Sequence, residues 1–544
     1  MTGSSADALL RELERGAAPA RERRLLDELA DLPLDPSELA RYHDSLLFVA
    51  AYPRSGAAWE RAHRELAAFP ERIARLDEGE RSELVDSGIV GTAQVYPYGL
   101  GNARWMASLP GSRVEIEWSL VTPASRRRLA AIVRGLLGPI EARALDEGDR
   151  AALGVRRVLD RLRGRGTAFD WLSNRLARAL PIGTDQLVFD ATELPLRIEL
   201  SSHGPNRTLN HDRLPGRPAL YDPAAARAPV AVVEEIKRPL RFGPPVPLER
   251  GRELLAVIRG LVLSRGRELH AMTHGNPDEV YHARIDRGAT LTLWMMTPAE
   301  RLPLEIGWYF MLCRNGIPLA YGGGGMFATR AEIGMNLFDP YRRSGEARWI
   351  FSQIARAVYS FCAVPWIVTR RYQLGGDDND EGLASGAYWF YDKLGFRSVD
   401  PAIRALADRE RALRATKPDH RTAKRLLGRL AAADVVLPLD GQPSGEYREF
   451  PLDRIGLELT RAVESRFGPD RTGLPEWTER RAGPAGDPAH RRRRGDNALF
   501  ELITEPAQRS AARRAARLKG GRFEGRYARA LPSLLLWLES LVPK

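Results

Sequence analysis

The sequence predicts an α+β chain in which a mixed, mainly antiparallel sheet is flanked by mostly helical N- and C-terminal regions. Helical spacing of apolar residues dominates the first 135 residues and returns over 403–435, whereas extended apolar runs crowd between residues 280 and 338. Between two of those runs stands Asn315-Gly316, a pair suited to the positive φ angles of a two-residue hairpin turn.

The elements follow in order. LLFVAAY and WERAHRELAAF read as helices, a further helical stretch covers 150–180, and DQLVFDA and PLRIELSS read as strands closing a first region, 1–213. The proline-rich stretch 214–247 reads as a linker. Region 248–410 opens with one long helix, RGRELLAVIRGLVLSRGRELHAM, and continues with the runs VYHARI, TLTLWMM, WYFMLCR, IPLAYGG and EIGMNLF as an antiparallel meander. A helix over 345–361, a strand VPWIVT and a helix from Leu383 to Leu394, stopped by Gly395, come next. Helices return in region 411–544, which carries a basic, Gly/Pro-punctuated segment.

A chain of 544 residues exceeds what one hydrophobic core supports, and 44% hydrophobic with 28% charged residues is a globular composition. The net charge of +12 is concentrated: residues 480–530 hold 14 Arg or Lys against 5 Asp or Glu. Arg491–Arg494 can track a phosphate backbone or simply form a solvated basic face. Cys313 and Cys362, both in apolar surroundings, suggest packed thiols in a reducing compartment. The N-terminus lacks the apolar core of a signal peptide, and no run is long enough to span a membrane, so the expected location is the cytoplasm.

The chemistry-bearing segment is FDPYRRSGEARWIFSQIARAVYSF, where a strand hands over to a helix through Arg342-x-x-Gly345-x-Ala347. The first helical turn leaves N–H groups unpaired, the macrodipole adds positive charge, and a glycine admits phosphate close to the main chain. Arg342 and Arg343 add countercharge. About 45 residues on comes Ala387-Tyr388-Trp389-Phe390-Tyr391-Asp392-Lys393-Leu394-Gly395-Phe396.

These two segments, in this order, resemble the pyrophosphate-binding signature R-x-x-G-x-A and the A-x-x-x-Y-x-K-x-G-F helix ending of the GNAT N-acetyltransferase superfamily, over roughly residues 265–400. The resemblance implies a GNAT-like sheet with helices on both faces, with VPWIVT as its fifth strand and the Asn-Gly hairpin as its second and third. It implies acetyl-CoA or another acyl-CoA as co-substrate, an acyl group entering between two splayed central strands, and transfer to an amine. Leu337, Phe338, Arg342, Arg343, Ser344, Gly345, Glu346 and Ala347 would hold the cofactor. Tyr391 would protonate the departing thiolate, a role suited to a phenol that keeps its proton at neutral pH. Glu332 is the candidate general base, and Ala384 stands where the family often has asparagine.

Other chemistries fit less well. His270 and His274 are four apart on one predicted helix, but no glutamate follows His270, so the metalloprotease pattern H-E-x-x-H is absent and no metal is expected. Asp377-x-Asn379-x-Glu381-Gly382 begins like a calcium loop but has Tyr388 at its twelfth position, which leaves an exposed acidic loop or an amine-recognising one. Gly322–Gly325 lacks P-loop spacing, and G-x-S-x-G is missing. Two alternatives to acyl-CoA chemistry stay open: a non-catalytic GNAT-like binding or scaffold module, and an aminoacyl-tRNA-dependent aminoacyltransferase that grips RNA through 480–530.

Overall fold

The computed structural model describes residues 5–482 apart from 148–153, 182, 210, 212–215, 298–299, 301–305, 328, 363, 418, 442, 448 and 450–451, together with Leu502. The basic segment 480–530 and the final apolar run lie almost wholly outside the described residues, as does the side chain of Cys362. Cys313 is buried and forms no disulfide among the described residues. Among the described residues no helix is long and apolar enough to cross a membrane.

The chain forms two compact units, one of residues 1–221, 253–273 and 315–317, the other of 222–252, 274–314 and 318 onward. The first is mainly helical. Pro36–Ala51 starts at a capping box in which Asp35 accepts the Glu38 N–H at 2.8 Å, and it buries Tyr42, Leu46 and Ala50 on one face. The first region also holds a three-stranded antiparallel sheet, β1 Ala93–Tyr96, β2 Val114–Ile116 and β3 Leu196–Glu199, with β3 in the middle. Its first two strands are too short to interrupt the surrounding helical periodicity in the sequence. PLRIELSS is a strand as expected, but DQLVFDA is the helix Thr184–Asp190. Its buried residues, Asp185 and Phe189, are four apart, and Gly183 at φ +89° turns the chain into it.

The second unit is built on a nine-stranded, mainly antiparallel sheet. β4 Gly275–Arg284, β5 Ala289–Met296, β6 Ile306–Arg314 and β7 Ile317–Phe327 form the expected meander. Every residue of β5 is buried. Asn315 at φ +47° and Gly316 at φ +83° make the β6–β7 turn. β8 Arg330–Glu332 and β9 Gly334–Leu337 both pair with β7, and β10 Trp366–Thr369 runs parallel to β8. β11 Arg397–Ser398 and β12 Val435–Pro438 complete the order β11-β12-β10-β8-β7-β6-β5-β4. β12 begins where the predicted helical run 403–435 ends, in a region expected to be mostly helical; its four residues insert antiparallel between β10 and β11.

Two predicted helices also differ from expectation, each interrupted at a glycine with positive φ. The long helix after the proline-rich stretch is Leu248–Leu263, followed by a turn at Gly266 (φ +59°) and one further turn His270–Thr273, so His274 lies beyond it. The predicted helix Leu383–Leu394 is two helices, Asp380–Ser385 and Ala387–Lys393, parted at left-handed Gly386. The proline-rich stretch contains the helix Val232–Lys237, whose Glu235 accepts from Gln353 at 2.6 Å. Arg356 then binds the carbonyls of Arg238 and Pro239 at 2.9 and 2.6 Å, so this stretch is fixed against the helix Ala347–Cys362.

One carboxylate in the first unit carries a pH signature. Glu22 is 4% exposed, and burial pushes its carboxyl up to about 7 against the opposing pull of the Arg54 backbone N–H. The folded state therefore binds a proton more tightly than the unfolded one, and this contribution to stability is present at low pH and lost as pH rises from the ordinary glutamate range through about 7. Glu22→Gln should flatten that decline and raise stability at pH 8 by on the order of 2 kcal/mol, read from urea midpoints at pH 5 and pH 8.

Candidate functional site

The site begins where a strand pair parts. β8 and β10 are in parallel register at Arg330↔Trp366, Ala331↔Ile367 and Glu332↔Val368, and the Ile333 N–H still reaches the Val368 carbonyl at 2.9 Å. Beyond that point the chain after β10 turns into the helix Arg371–Leu374, while β9 continues alongside β7 from Gly323↔Gly334 to Ala320↔Leu337. Backbone groups alternate between the two edges of such a strand. Phe338 gives its N–H to the Leu319 carbonyl at 2.9 Å, so Asn336 and Gly334 also face β7. Met335 and Leu337 face the open edge.

That edge borders a cavity of about 230 Å³ whose wall includes Met335, Leu337, Arg342, Ala347, Gln373 and Tyr391. The volume is below the usual range for a whole bound ligand, so it suits the arm or acyl end of a larger molecule lying across the surface.

Tyr391 reaches the cavity from the helix Ala387–Lys393. The helix ends in a reciprocal pair of bonds, Phe396 N–H to the Tyr391 carbonyl and Gly395 N–H to the Asp392 carbonyl, both 3.1 Å, with Gly395 at φ +102°. This is a Schellman termination, and its usual apolar contact is present: the Phe396 ring stands 5.5 Å from that of Tyr391. Phe351 packs edge-on against both rings at 5.8 and 5.7 Å. The ring of Tyr391 is therefore core, and only its hydroxyl is available. The Met335 N–H and the Thr369 hydroxyl lie beside it. Burial pushes the phenol up and these two partners pull it down; the balance stays above the ordinary value, so the proton is held at neutral pH.

The Arg342-x-x-Gly345-x-Ala347 segment forms the short 3-10 helix Asp339–Ser344, then left-handed Gly345 at φ +77°, then the helix Ala347–Cys362. Arg342 is half exposed and spans Asp339 at 3.0 Å and Glu381 at 3.1 Å. Exposed pairs of this kind contribute about 0–1 kcal/mol, so a phosphate could recruit the guanidinium at little loss. Arg343 and Gly345 are exposed on the same turn.

Three of the residues expected to hold a cofactor face elsewhere. Phe338 is buried against Tyr321, with ring centres 5.0 Å apart. Ser344 is buried, and its hydroxyl caps the Glu346 N–H at 3.2 Å. Glu346, 2% exposed, is held by Arg314 at 2.6 Å and Arg287 at 2.9 Å. A carboxylate there would repel phosphate; turned inward, it anchors the loop instead.

Glu332 also lies away from the cavity wall. Its carboxylate is bound by Arg370 at 2.8 Å, within a network in which Arg370 also meets Asp434 at 2.8 Å and Glu449 at 2.9 Å. Glu449 takes the buried Arg330 Nε at 3.0 Å and the Tyr447 hydroxyl at 2.8 Å. Burial pushes the Glu449 carboxyl up, but Arg330 and Arg370 outweigh it and hold the group below its usual range. The acidic loop is likewise engaged: Asp377 pairs with Arg371 at 2.8 Å and Asp380 with Lys424 at 3.2 Å.

Sequence reasoning missed Gln373 on the wall and named Asn379 only as part of an acidic loop. Asn379 alone had a signal, since Asn-Asp-Glu-Gly is a helix start, and its side chain caps the Gly382 N–H at 3.1 Å. It supplies an amide to the cavity where Ala384, on an exposed face, cannot.

Removing one member of a buried ion pair costs about 3–5 kcal/mol. Glu346→Ala, which takes the carboxylate away from buried Arg314, should destabilise the second unit by that order in chemical denaturation, whereas Glu381→Ala at the exposed pair should shift the midpoint by less than about 1 kcal/mol. Compared with protein-family models, curated proteins and solved structures, the chain matches none, so the functional reading stands on this geometry and on the two motifs.

Proposed function

We propose that the second unit is a GNAT-like acyl-CoA-dependent N-acyltransferase domain, transferring an acyl group from the CoA thioester to an amine. One observation carries the reading: a strand pair that parts over the cavity, with a proton-holding tyrosine at the parting and the Arg342–Ala347 turn on the same wall. The sheet order supports it, since the parallel partner of β8 comes after the helix that follows the turn, where the resemblance expects the fifth strand.

The chemistry then divides among these residues. The unpaired N–H groups opening Ala347–Cys362, with Arg342 and Arg343, take the diphosphate. The open edge of β9, through Leu337, takes the amide-rich arm by strand-like hydrogen bonds and brings the thioester under Tyr391. An amine attacks the thioester carbonyl; the carbon–sulfur bond breaks, and the Tyr391 hydroxyl gives its proton to the leaving sulfur. The acceptor amine deprotonates to solvent in this scheme, because Glu332 is committed to Arg370.

A second reading is favoured by that same commitment: a domain that binds acyl-CoA without transferring it. Calorimetry with acetyl-CoA and longer acyl-CoAs, paired with thiol release over a panel of amines, separates the two. Saturable binding is expected, weakened at least about tenfold by Arg342→Glu, with thiol release slowed about 10²-fold or more by Tyr391→Phe. Binding without thiol release from any amine selects the second reading. Absence of heat with every acyl-CoA, and no effect of Arg342→Glu, removes the donor assignment.

A further inference from the structure

We propose that Gln373 closes the gap between the parted strands and so limits the donor to a short acyl group, acetyl or propionyl. The inference rests on the acyl-CoA reading, whose failure the closing experiment registers separately.

The position follows from where the ladder stops. Its last bonds are the Ile333 N–H to the Val368 carbonyl at 2.9 Å and the Thr369 hydroxyl to the Ile333 carbonyl at 3.1 Å. Beyond them Gly334 opens β9 on one side, and the turn Arg371–Leu374 follows on the other. An acyl group entering between the strands passes between these two segments.

Gln373 already fills that gap. A Cβ added at Gly334 would lie 3.1, 3.3 and 3.5 Å from its Nε2, Cδ and Cγ, so the glutamine side chain is laid along the α-carbon of Gly334, in the space a side chain of β9 would take. The backbone at Gly334 is not left-handed; the missing side chain answers to this contact and not to a turn. Gln373 also lines the cavity with Met335, Leu337 and Tyr391, so the side chain that covers Gly334 borders the space the thioester is to occupy.

The turn that carries Gln373 is fixed from both ends. Arg370 is held by Glu332 and Asp434, each at 2.8 Å, and by Glu449 at 2.9 Å, and the Arg371 N–H gives to Asp434 at 2.8 Å. The Gln373 N–H gives to the Arg370 carbonyl at 3.0 Å, Leu374 is buried, and the Tyr372 carbonyl accepts from Asn379 at 2.7 Å. A longer acyl group therefore has to displace the glutamine side chain, and Gly334 stands behind it. The cavity of about 230 Å³ must also take the end of the arm that bears the thioester, which leaves room for little more than a methyl or ethyl group.

Calorimetry on the full chain tests this with free CoA and with acetyl-, propionyl-, butyryl- and hexanoyl-CoA, each acyl-CoA affinity being divided by the free-CoA affinity of the same variant. In the unaltered chain the ratio should fall at least about tenfold between propionyl- and hexanoyl-CoA. Gln373→Ala should remove that fall, whereas Gln373→Met, which keeps the length of the side chain, should retain it. Gly334→Ala should press the glutamine into the slot and lower the propionyl ratio about tenfold, which reads the same contact from its other side should the Gln373→Ala chain misfold. No fall with length in the unaltered chain, an unchanged fall in Gln373→Ala, or a methionine variant as permissive as the alanine one overturns the inference while the donor assignment stands. So does an unchanged propionyl ratio in Gly334→Ala. Absence of heat with all five ligands, free CoA included, overturns it together with the donor assignment.

Discussion

The site depends on an interrupted ladder. For three residues β8 and β10 share parallel hydrogen bonds, and then β10 ends in a helical turn while β9 runs on beside β7 alone. Backbone donors and acceptors that face neither strand nor water carry a free-energy penalty, so an edge left open inside a sheet is stable only if something else satisfies it. Tyr391 stands beside this edge, and the cavity borders it at Met335 and Leu337.

What holds Tyr391 there is local and mechanical. Gly395 lets the helix end in a left-handed residue, the termination brings Phe396 back over the tyrosine ring, and Phe351 closes the third side. Ring and hydroxyl thus have separate functions, one in the core and one in the cleft. Elsewhere on the cavity wall the Arg342–Ala347 turn is set by the inward, buried pair of Glu346 with Arg314. Arg287, Arg314 and Arg370 are each paired with carboxylates in this way and add little cationic potential of their own.

Much of the second unit was legible in the sequence because its signals are short-range. Asn315-Gly316 marks a turn, alternating apolar runs mark strands, and Gly395-Phe396 marks a helix end. The failures came where local preference is weak or tertiary pairing decides. Val435–Pro438 is a strand only because β10 and β11 leave room between them, and DQLVFDA has β-compatible residues yet buries an i, i+4 face. At the site, Leu337, Arg342, Ala347 and Tyr391 share the cavity wall as anticipated, whereas Phe338, Ser344, Glu346 and Glu332 face other partners. Sequence spacing cannot tell which way a polar side chain turns at a strand-to-helix corner.

The glycine run Gly322–Gly325 lies in β7 opposite this corner. At Gly322 and Gly324 a side chain would strike the carbonyls of Gly334 and Glu332, so bare backbone is a packing requirement there. Glycine in a strand is less favourable than alanine by roughly 0.5–1 kcal/mol each, which leaves this stretch poor in intrinsic sheet-forming tendency. The fully buried β5 and its neighbours must hold it in place. The cleft is thus borrowed stability: a glycine-rich stretch of the sheet adjoins the place where the strands part, and substitutions far along β4 to β6 reach the cleft by loosening what carries it.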